Sequence, residues 1–165
     1  MPLLPSATHA FKYLNNPLRR MGEYYEAGVP HPLPVTIAYI ADGIKKLRAV
    51  QTDRPSTLWR GMKNLRVGDE FMELRRGGTE LAPMSTTTKL SVAAHYGLSG
   101  GTLLFKIKVD NVLQIGANLE FLTAFPGEAE VCFPPLTYLQ PTGRTQDVRI
   151  GENCFHVVEV EPHLA

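Results

Sequence analysis

The hydrophobic pattern of this chain changes period at Pro55, and that change constrains the fold more than any other feature. Before it, Val35 to Val50 is the clearest periodic stretch. Ile37, Ile40, Ala41, Ile44 and Leu47 recur at helical spacing, with Asp42, Lys45, Lys46 and Arg48 between them. That spacing predicts an amphipathic helix packed on a core. After Pro55 come short apolar runs punctuated by glycine and proline, which read as strands. Helices first and strands later predict an α+β fold, not alternating βαβ units.

Ser6 or Thr8 is a candidate cap for a first helix through Ala10, Phe11, Tyr13 and Leu14, with Pro17 expected to break or end it. Met21 to Pro34 reads as a loop or a partly helical connection. Strands are expected at Thr57–Met62, Glu70–Leu74, Leu81–Thr87, Thr102–Val109, Val112–Ile115, Glu128–Phe133, Thr137–Leu139 and Phe155–Val160. A short helix is expected over Ser91–Tyr96, ended by Gly97. Turns are expected at Arg76-Gly77-Gly78 and Ser99-Gly100-Gly101.

The 165 residues fit one domain, 1–165, mainly helical over 1–55 and mainly strand over 56–165, and can bury a real core. Hydrophobic residues at 44% and charged residues at 20% are ordinary for a soluble globular protein, expected to be a monomer. A net charge of +1 gives no electrostatic case for nucleic acid. The basic pairs Arg19-Arg20, Lys45-Lys46 and Arg75-Arg76 read as solvated surface. No run approaches a membrane span, no signal-peptide core is visible, and the compartment is not indicated. Cys132 and Cys154 make neither a disulfide framework nor a zinc site; buried free thiols are expected, with a single bridge left open. The five histidines lie at no metal-ligand spacing, so no metal is expected.

Chemistry-bearing residues gather at the ends of the strand-like runs. In a strand, Glu128 and Glu130 would share one face and hold their carboxylates side by side, with Ala129, Val131 and Phe133 turned to the core. Neighbouring carboxylates repel unless a cation or hydroxyl stabilises them. Arg60 sits late in an apolar segment, Leu58-Trp59-Arg60, and is either a clamp for a pyrophosphate or carboxylate, or half of an internal ion pair, with Glu128 or Glu130 as candidate partners. Gly61 beside it lets a ligand or another backbone come close. Ser85, Thr86 and Thr87 offer hydroxyls to a carboxylate, a ribose or the local backbone. Tyr96 reads as core, or as a cleft-lining residue if its helix borders the site.

Read together and in order, Trp59-Arg60-Gly61, Ser85-Thr86-Thr87 and Phe125-Pro126-Gly127-Glu128-Ala129-Glu130-Val131 resemble the arginine-serine-glutamate class of mono-ADP-ribosyltransferases. The third segment resembles the Glu-x-Glu, arginine-modifying branch, and Leu122-Thr123 before it and Phe133-Pro134-Pro135 after it extend the match. Tyr13-Leu14-Asn15-Asn16-Pro17-Leu18-Arg19 is similar to the family's helical lead-in. Thr87 stands where the family usually has serine, and Ala82-Pro83-Met84 where an aromatic is common.

The resemblance implies two facing, mainly antiparallel β-sheets with a cleft for NAD and N-terminal helices alongside. It implies transfer of ADP-ribose from NAD to an arginine of a protein acceptor, with an NAD glycohydrolase or an inactive interaction module as alternatives. Arg60, with Gly61, would hold the phosphates of NAD. Ser85 would bond the nicotinamide ribose and orient Glu130, with Thr86 and Thr87 in the same network. Glu130 would stabilise the positive charge that develops as nicotinamide leaves. Glu128 would grip the acceptor guanidinium, and Phe125 would help present it.

Overall fold

The computed structural model describes residues 7–52, 55–62, 68–73, 76–98 and 103–164. Three helices lead: α1 Ala7–Arg19, α2 Met21–Glu26 and α3 Pro34–Val50. The strand β1 (Thr57–Met62) follows, then the one-turn helix α4 (Asp69–Met72), β2 (Gly78–Glu80), β3 (Met84–Thr87), helix α5 (Leu90–Gly97) and β4 (Leu103–Lys108). A 3₁₀ turn at Val112–Gln114, β5 (Ala117–Asn118), a second 3₁₀ turn at Pro126–Glu128, β6 (Glu130–Phe133), β7 (Thr137–Ile150) and β8 (Asn153–His163) complete the chain. The expected cap Ser6 and the expected turn at Ser99-Gly100-Gly101 lie outside the described residues.

The fold is α+β, and its strands form one sheet of eight in the order β2-β7-β8-β4-β1-β3-β6-β5. Among the described residues all pairings are antiparallel except β4 with β8. The two sheets implied by the resemblance are two halves of this one. Among the described residues β1 pairs with β4 over its whole length but meets β3 only at Trp59↔Thr87. That single bridge joins β2-β7-β8-β4-β1 to β3-β6-β5. One core cluster draws on both halves: Leu58, Phe105, Val158 and Val160 from the first, Met84, Val131 and Phe133 from the second. Each such large apolar side chain contributes about 1.5–3 kcal/mol on burial.

Strand β4 explains its own sequence. Phe105 and Ile107 face that shared core, while Leu104 faces a second cluster with Ala93, Ala94, Phe155 and Val157 on the side of α5. A strand buried on both faces needs a near-continuous apolar run rather than alternation. Helix α3 packs as its periodicity predicts: Ile44, flanked by Ile40 and Leu47, covers Ala117 of β5 and Cys132 of β6. Its end is pinned by Gln51, whose amide donates to Gly116 O at 2.6 Å and accepts from Asn118 N at 2.8 Å.

Several local expectations are overturned for identifiable reasons. Pro17 lies inside α1 and does not stop it: it sits in the last turn, and Arg20 N still reaches Asn16 O at 2.9 Å. Thr8 is within the helix, not its cap. Asp69-Glu70-Phe71-Met72 is helical, not a strand; two acidic residues favour a first helical turn, and Phe71 stacks on Phe105 at 5.6 Å. The strand expected over Leu81–Thr87 begins only at Met84. Val112–Ile115 turns as a 3₁₀ helix because the Asn111 side chain accepts from Leu113 N at 2.9 Å. β7 and β8 run far beyond Thr137–Leu139 and Phe155–Val160, forming one long hairpin. The register shift between Pro141 and Thr145 absorbs the proline and Gly143, whose φ is +81°.

Candidate active site

The site lies where the two halves of the sheet meet. β3 pairs with β6 in the register Ser85↔Cys132 and Thr87↔Glu130, so Ser85 stands diagonally across from Glu130. The Ser85 hydroxyl donates a hydrogen bond to Glu130 Oε1. Both side chains lie at the surface, Ser85 exposed and Glu130 partly so. The hydroxyl therefore stabilises and orients the carboxylate while leaving it open to a ligand.

Glu128 does not share a strand face with Glu130. β6 begins at Glu130; Glu128 ends the Pro126–Glu128 turn, and Ala129 between them is left-handed at φ 47°. Pro126 presets the turn, and the left-handed Ala129 ends the alternation. Such a conformation costs an alanine roughly 1–2 kcal/mol and marks a tightly held segment. The two carboxylates still approach one region, because Tyr96 of α5 feels both. Its hydroxyl donates to Glu128 Oε1 at 2.7 Å. That bond, with burial and the charges of Glu128 and Glu130, pushes the phenol above its ordinary value. Tyr96 is 46% exposed and belongs to the site, not to the core.

Arg60 settles its two alternatives in an unexpected way. Its Nη1 donates to Ser85 O at 2.8 Å, fixing β1 to β3 beside the single bridge, and its Nη2 donates to Glu80 Oε2 at 3.3 Å. It is an internal ion pair, but its partner is Glu80 of β2, not Glu128 or Glu130. A guanidinium carries five donor hydrogens, so these bonds leave others to meet a ligand. The side chain is 16% exposed. Burial pushes its pKa down, Glu80 opposes that, and nearby Arg19 adds to it. Arg19, expected as solvated surface, reaches the same carboxylate with Nε at 2.9 Å and Nη2 at 3.1 Å.

Gly61 makes room for protein backbone. A Cβ there would lie 2.0 Å from Ala93 O and 2.9 Å from Gly97 N. The glycine lets α5 lie against β1, which places Tyr96 at the site. Gly97, expected to end α5, is its last residue and is buried for the same packing. Thr86 and Thr87 are also buried. The Thr86 hydroxyl donates to Val131 O at 2.6 Å and that of Thr87 to Glu128 O at 2.6 Å. The first secures the β3–β6 pairing, and the second holds the turn that carries Glu128. Phe125, at the start of that turn, is 65% exposed.

The bridge left open between the cysteines is absent: both are free, Cys132 buried and Cys154 exposed. Burial, then the charge of Glu130, pushes the Cys132 thiol up to about 12, which disfavours the thiolate. Among the described residues no cluster of histidine, cysteine or carboxylates could hold a metal, and no helix is long and apolar enough to cross a membrane. The donor set instead fits a dinucleotide: spare guanidinium donors for phosphate, and an oriented carboxylate for a ribose hydroxyl. Sequence reasoning missed Glu80 and Arg19. Glu80 lies outside the three motifs, and Arg19, the last residue of the lead-in segment, is joined to the site only by the fold.

No protein-family model matches the chain, and no curated protein matches it. Solved structures do. ADP-ribosyltransferase HopU1 of Pseudomonas syringae pv. Tomato DC3000 superposes with a TM-score of 0.69 at 20% identity, over 93% of this chain and 65% of that one. Plx2a, an ADP-ribosyltransferase toxin from Paenibacillus larvae, gives 0.64 at 18% identity, over 96% and 82%. Exoenzyme S from Pseudomonas aeruginosa, solved with human 14-3-3 protein beta and carba-NAD, gives 0.58 at 15% identity, over 92% and 66%. The chain thus spans about 65% of the length of HopU1. With this architecture and these superpositions, the chain has the ADP-ribosyltransferase fold.

Proposed function

We propose that the protein transfers ADP-ribose from NAD to an arginine side chain of a protein acceptor and releases nicotinamide. The observation that carries this reading is the hydrogen bond from Ser85 to Glu130, made on a strand whose Ser85 carbonyl is held by Arg60. One backbone segment thereby couples a cation suited to phosphate with a carboxylate suited to a ribose. The fold supports the same reading, since HopU1 and Plx2a are ADP-ribosyltransferases and the exoenzyme S structure contains carba-NAD.

In this reading Arg60 directs its remaining donors to the phosphates of NAD. Glu130 accepts a hydrogen bond from the nicotinamide ribose and stabilises positive charge on that sugar as the bond from its anomeric carbon to nicotinamide breaks. Nicotinamide departs with the bonding electrons. Glu128 orients the acceptor guanidinium and takes the proton that its nitrogen loses on bonding to the sugar. Glu128 Oε2 serves that purpose while Tyr96 holds Oε1. Phe125, exposed at the head of the same turn, presents an apolar surface to the acceptor.

Labelled NAD with the arginine analogue agmatine tests this reading. Labelled ADP-ribosyl-agmatine is the expected product, and Glu128→Ala is expected to lose it while still releasing nicotinamide to water. Nicotinamide release that agmatine never intercepts would make the protein an NAD glycohydrolase. Normal transfer by Glu128→Ala would remove Glu128 from acceptor recognition.

A further inference from the structure

One carboxylate joins the N-terminal helix to the arginine of the site. Glu80 Oε1 accepts from Arg19 Nε at 2.9 Å and from Ala82 N at 3.1 Å. Its Oε2 accepts from Arg19 Nη2 at 3.1 Å and from Arg60 Nη2 at 3.3 Å. These four bonds fill the acceptor sites of a carboxylate. Its side chain is only 16% exposed. A carboxylate so engaged has no acceptor site left for a further ligand. What it does is hold two guanidinium groups of like charge beside one another.

The charge count explains the arrangement. Arg19 and Arg60 are both cations, and both pair with the one carboxylate of Glu80. Without Glu80, Arg60 would be a largely enclosed cation near Arg19, and repulsion would favour rotamers that point it elsewhere. With Glu80, one edge of the guanidinium is fixed between Glu80 and Ser85 O, and the rest of its fork has a defined direction.

We propose that Glu80 is a positioning residue for NAD binding, acting through Arg60: it holds the guanidinium in its binding orientation and ties that orientation to the docking of α1 through Arg19. This inference rests on the reading of Arg60 as the residue that holds the phosphates of NAD. Glu80 touches no reacting atom, so its loss changes affinity for NAD and leaves the chemical step alone.

Initial rates of nicotinamide release against NAD concentration test this, with thermal melting of each variant to establish folding. Glu80→Gln keeps the size and removes the charge. It is expected to raise KM for NAD about tenfold with kcat within about twofold of wild type, the pattern of lost ground-state binding. Glu80→Asp keeps the charge but shortens the reach, and is expected to raise KM about threefold; it carries the test should Glu80→Gln not fold. In an Arg60→Ala background, Glu80→Gln is expected to change KM no further, because the two act as one unit. Wild-type KM in both Glu80 variants, with a raised KM in Arg60→Ala, overturns the inference and leaves the NAD reading standing. A lowered kcat at unchanged KM, or full additivity with Arg60→Ala, also overturns it, since either marks a merely structural role. An unchanged KM in Arg60→Ala itself overturns the assignment of Arg60, and the inference with it.

Discussion

Ser85 and Glu130 meet on the diagonal of the β3–β6 pairing, the hydroxyl of one donating to the carboxylate of the other. The relationship depends on register. A slip of one residue would turn Glu130 into the core and bring Val131 to the surface. Two threonine bonds guard against that slip, a buried one from Thr86 to Val131 O and a partly buried one from Thr87 to Glu128 O, both at 2.6 Å. The hydroxyl-rich sequence of β3 thus divides its labour: Ser85 works at the surface, while Thr86 and Thr87 hold the strand that presents Glu130.

Tyr96 is expected to act on the acceptor side of the site. Tyr96→Phe removes one charge-assisted hydrogen bond from Glu128, worth about 1.5–3 kcal/mol where it is fully made and less at this exposure. The expected result is a rise of a few-fold in KM for agmatine, with acceptor-free nicotinamide release unchanged. Agmatine saturation curves for both proteins check it. The phenol is held above its ordinary value, so this contribution persists below about pH 10 and is lost as pH rises through the elevated value.

Gly61→Ala is expected to destabilise the fold by about 1–3 kcal/mol, the usual cost of overpacking. Its Cβ would fall 2.0 Å from Ala93 O, and backbone cannot yield as a side chain can. Either α5 moves off β1 or the protein melts earlier. Thermal melting measures the second outcome. A displaced Tyr96, read as the acceptor effect predicted for Tyr96→Phe, reports the first.

Glu159 is the buried acidic residue of the long hairpin, bonded to Lys106 Nζ at 2.9 Å and to the Thr142 hydroxyl at 3.1 Å. Burial raises its pKa, but the bonds from Lys106 and Thr142 and the charges of Lys106 and Arg144 outweigh it, so the net shift is downward. Its stabilisation is therefore complete above the ordinary carboxylate range and is lost as pH falls through the lowered value. Glu159→Gln is expected to cost about 1–3 kcal/mol at neutral pH and to flatten the acid limb of stability. Urea unfolding across the acidic range measures both.

The cysteines are expected to differ in reactivity. Cys154 is exposed, whereas Cys132 is buried with its thiol held at about 12. A chromogenic disulfide reagent is expected to titrate one thiol in the native protein and the second only on unfolding. Prompt reaction of both would show that β6 opens readily.

The elements legible in the sequence were those whose pattern is set by local burial. β1 keeps the expected limits, Thr57–Met62, and α3 departs by one residue at its start. The residues of the candidate site stood out in the sequence as polar groups beside apolar ones: Arg60 follows Trp59 within β1, Ser85 follows Met84 within β3, and Glu130 precedes Val131 at the start of β6. What escaped depends on tertiary partners. Glu80 lies 61 positions from Arg19, and no spacing rule relates them. The geometry of Glu128 escaped because a single left-handed Ala129, a conformation alanine seldom adopts, decides between strand and turn. The length of the β7–β8 hairpin was not legible because Pro141 and Gly143, residue types that ordinarily weaken a strand, are accommodated at an irregularity in register.

The central claim is that Glu130, held by Ser85, supports cleavage of NAD. Nicotinamide release from NAD by the wild-type protein and by Glu130→Gln tests it most directly. Release by wild type, reduced about 100- to 1000-fold in a variant that melts like wild type, is the result expected for loss of a charge-stabilising group. No release by the folded wild-type protein, or undiminished release by Glu130→Gln, would contradict the account.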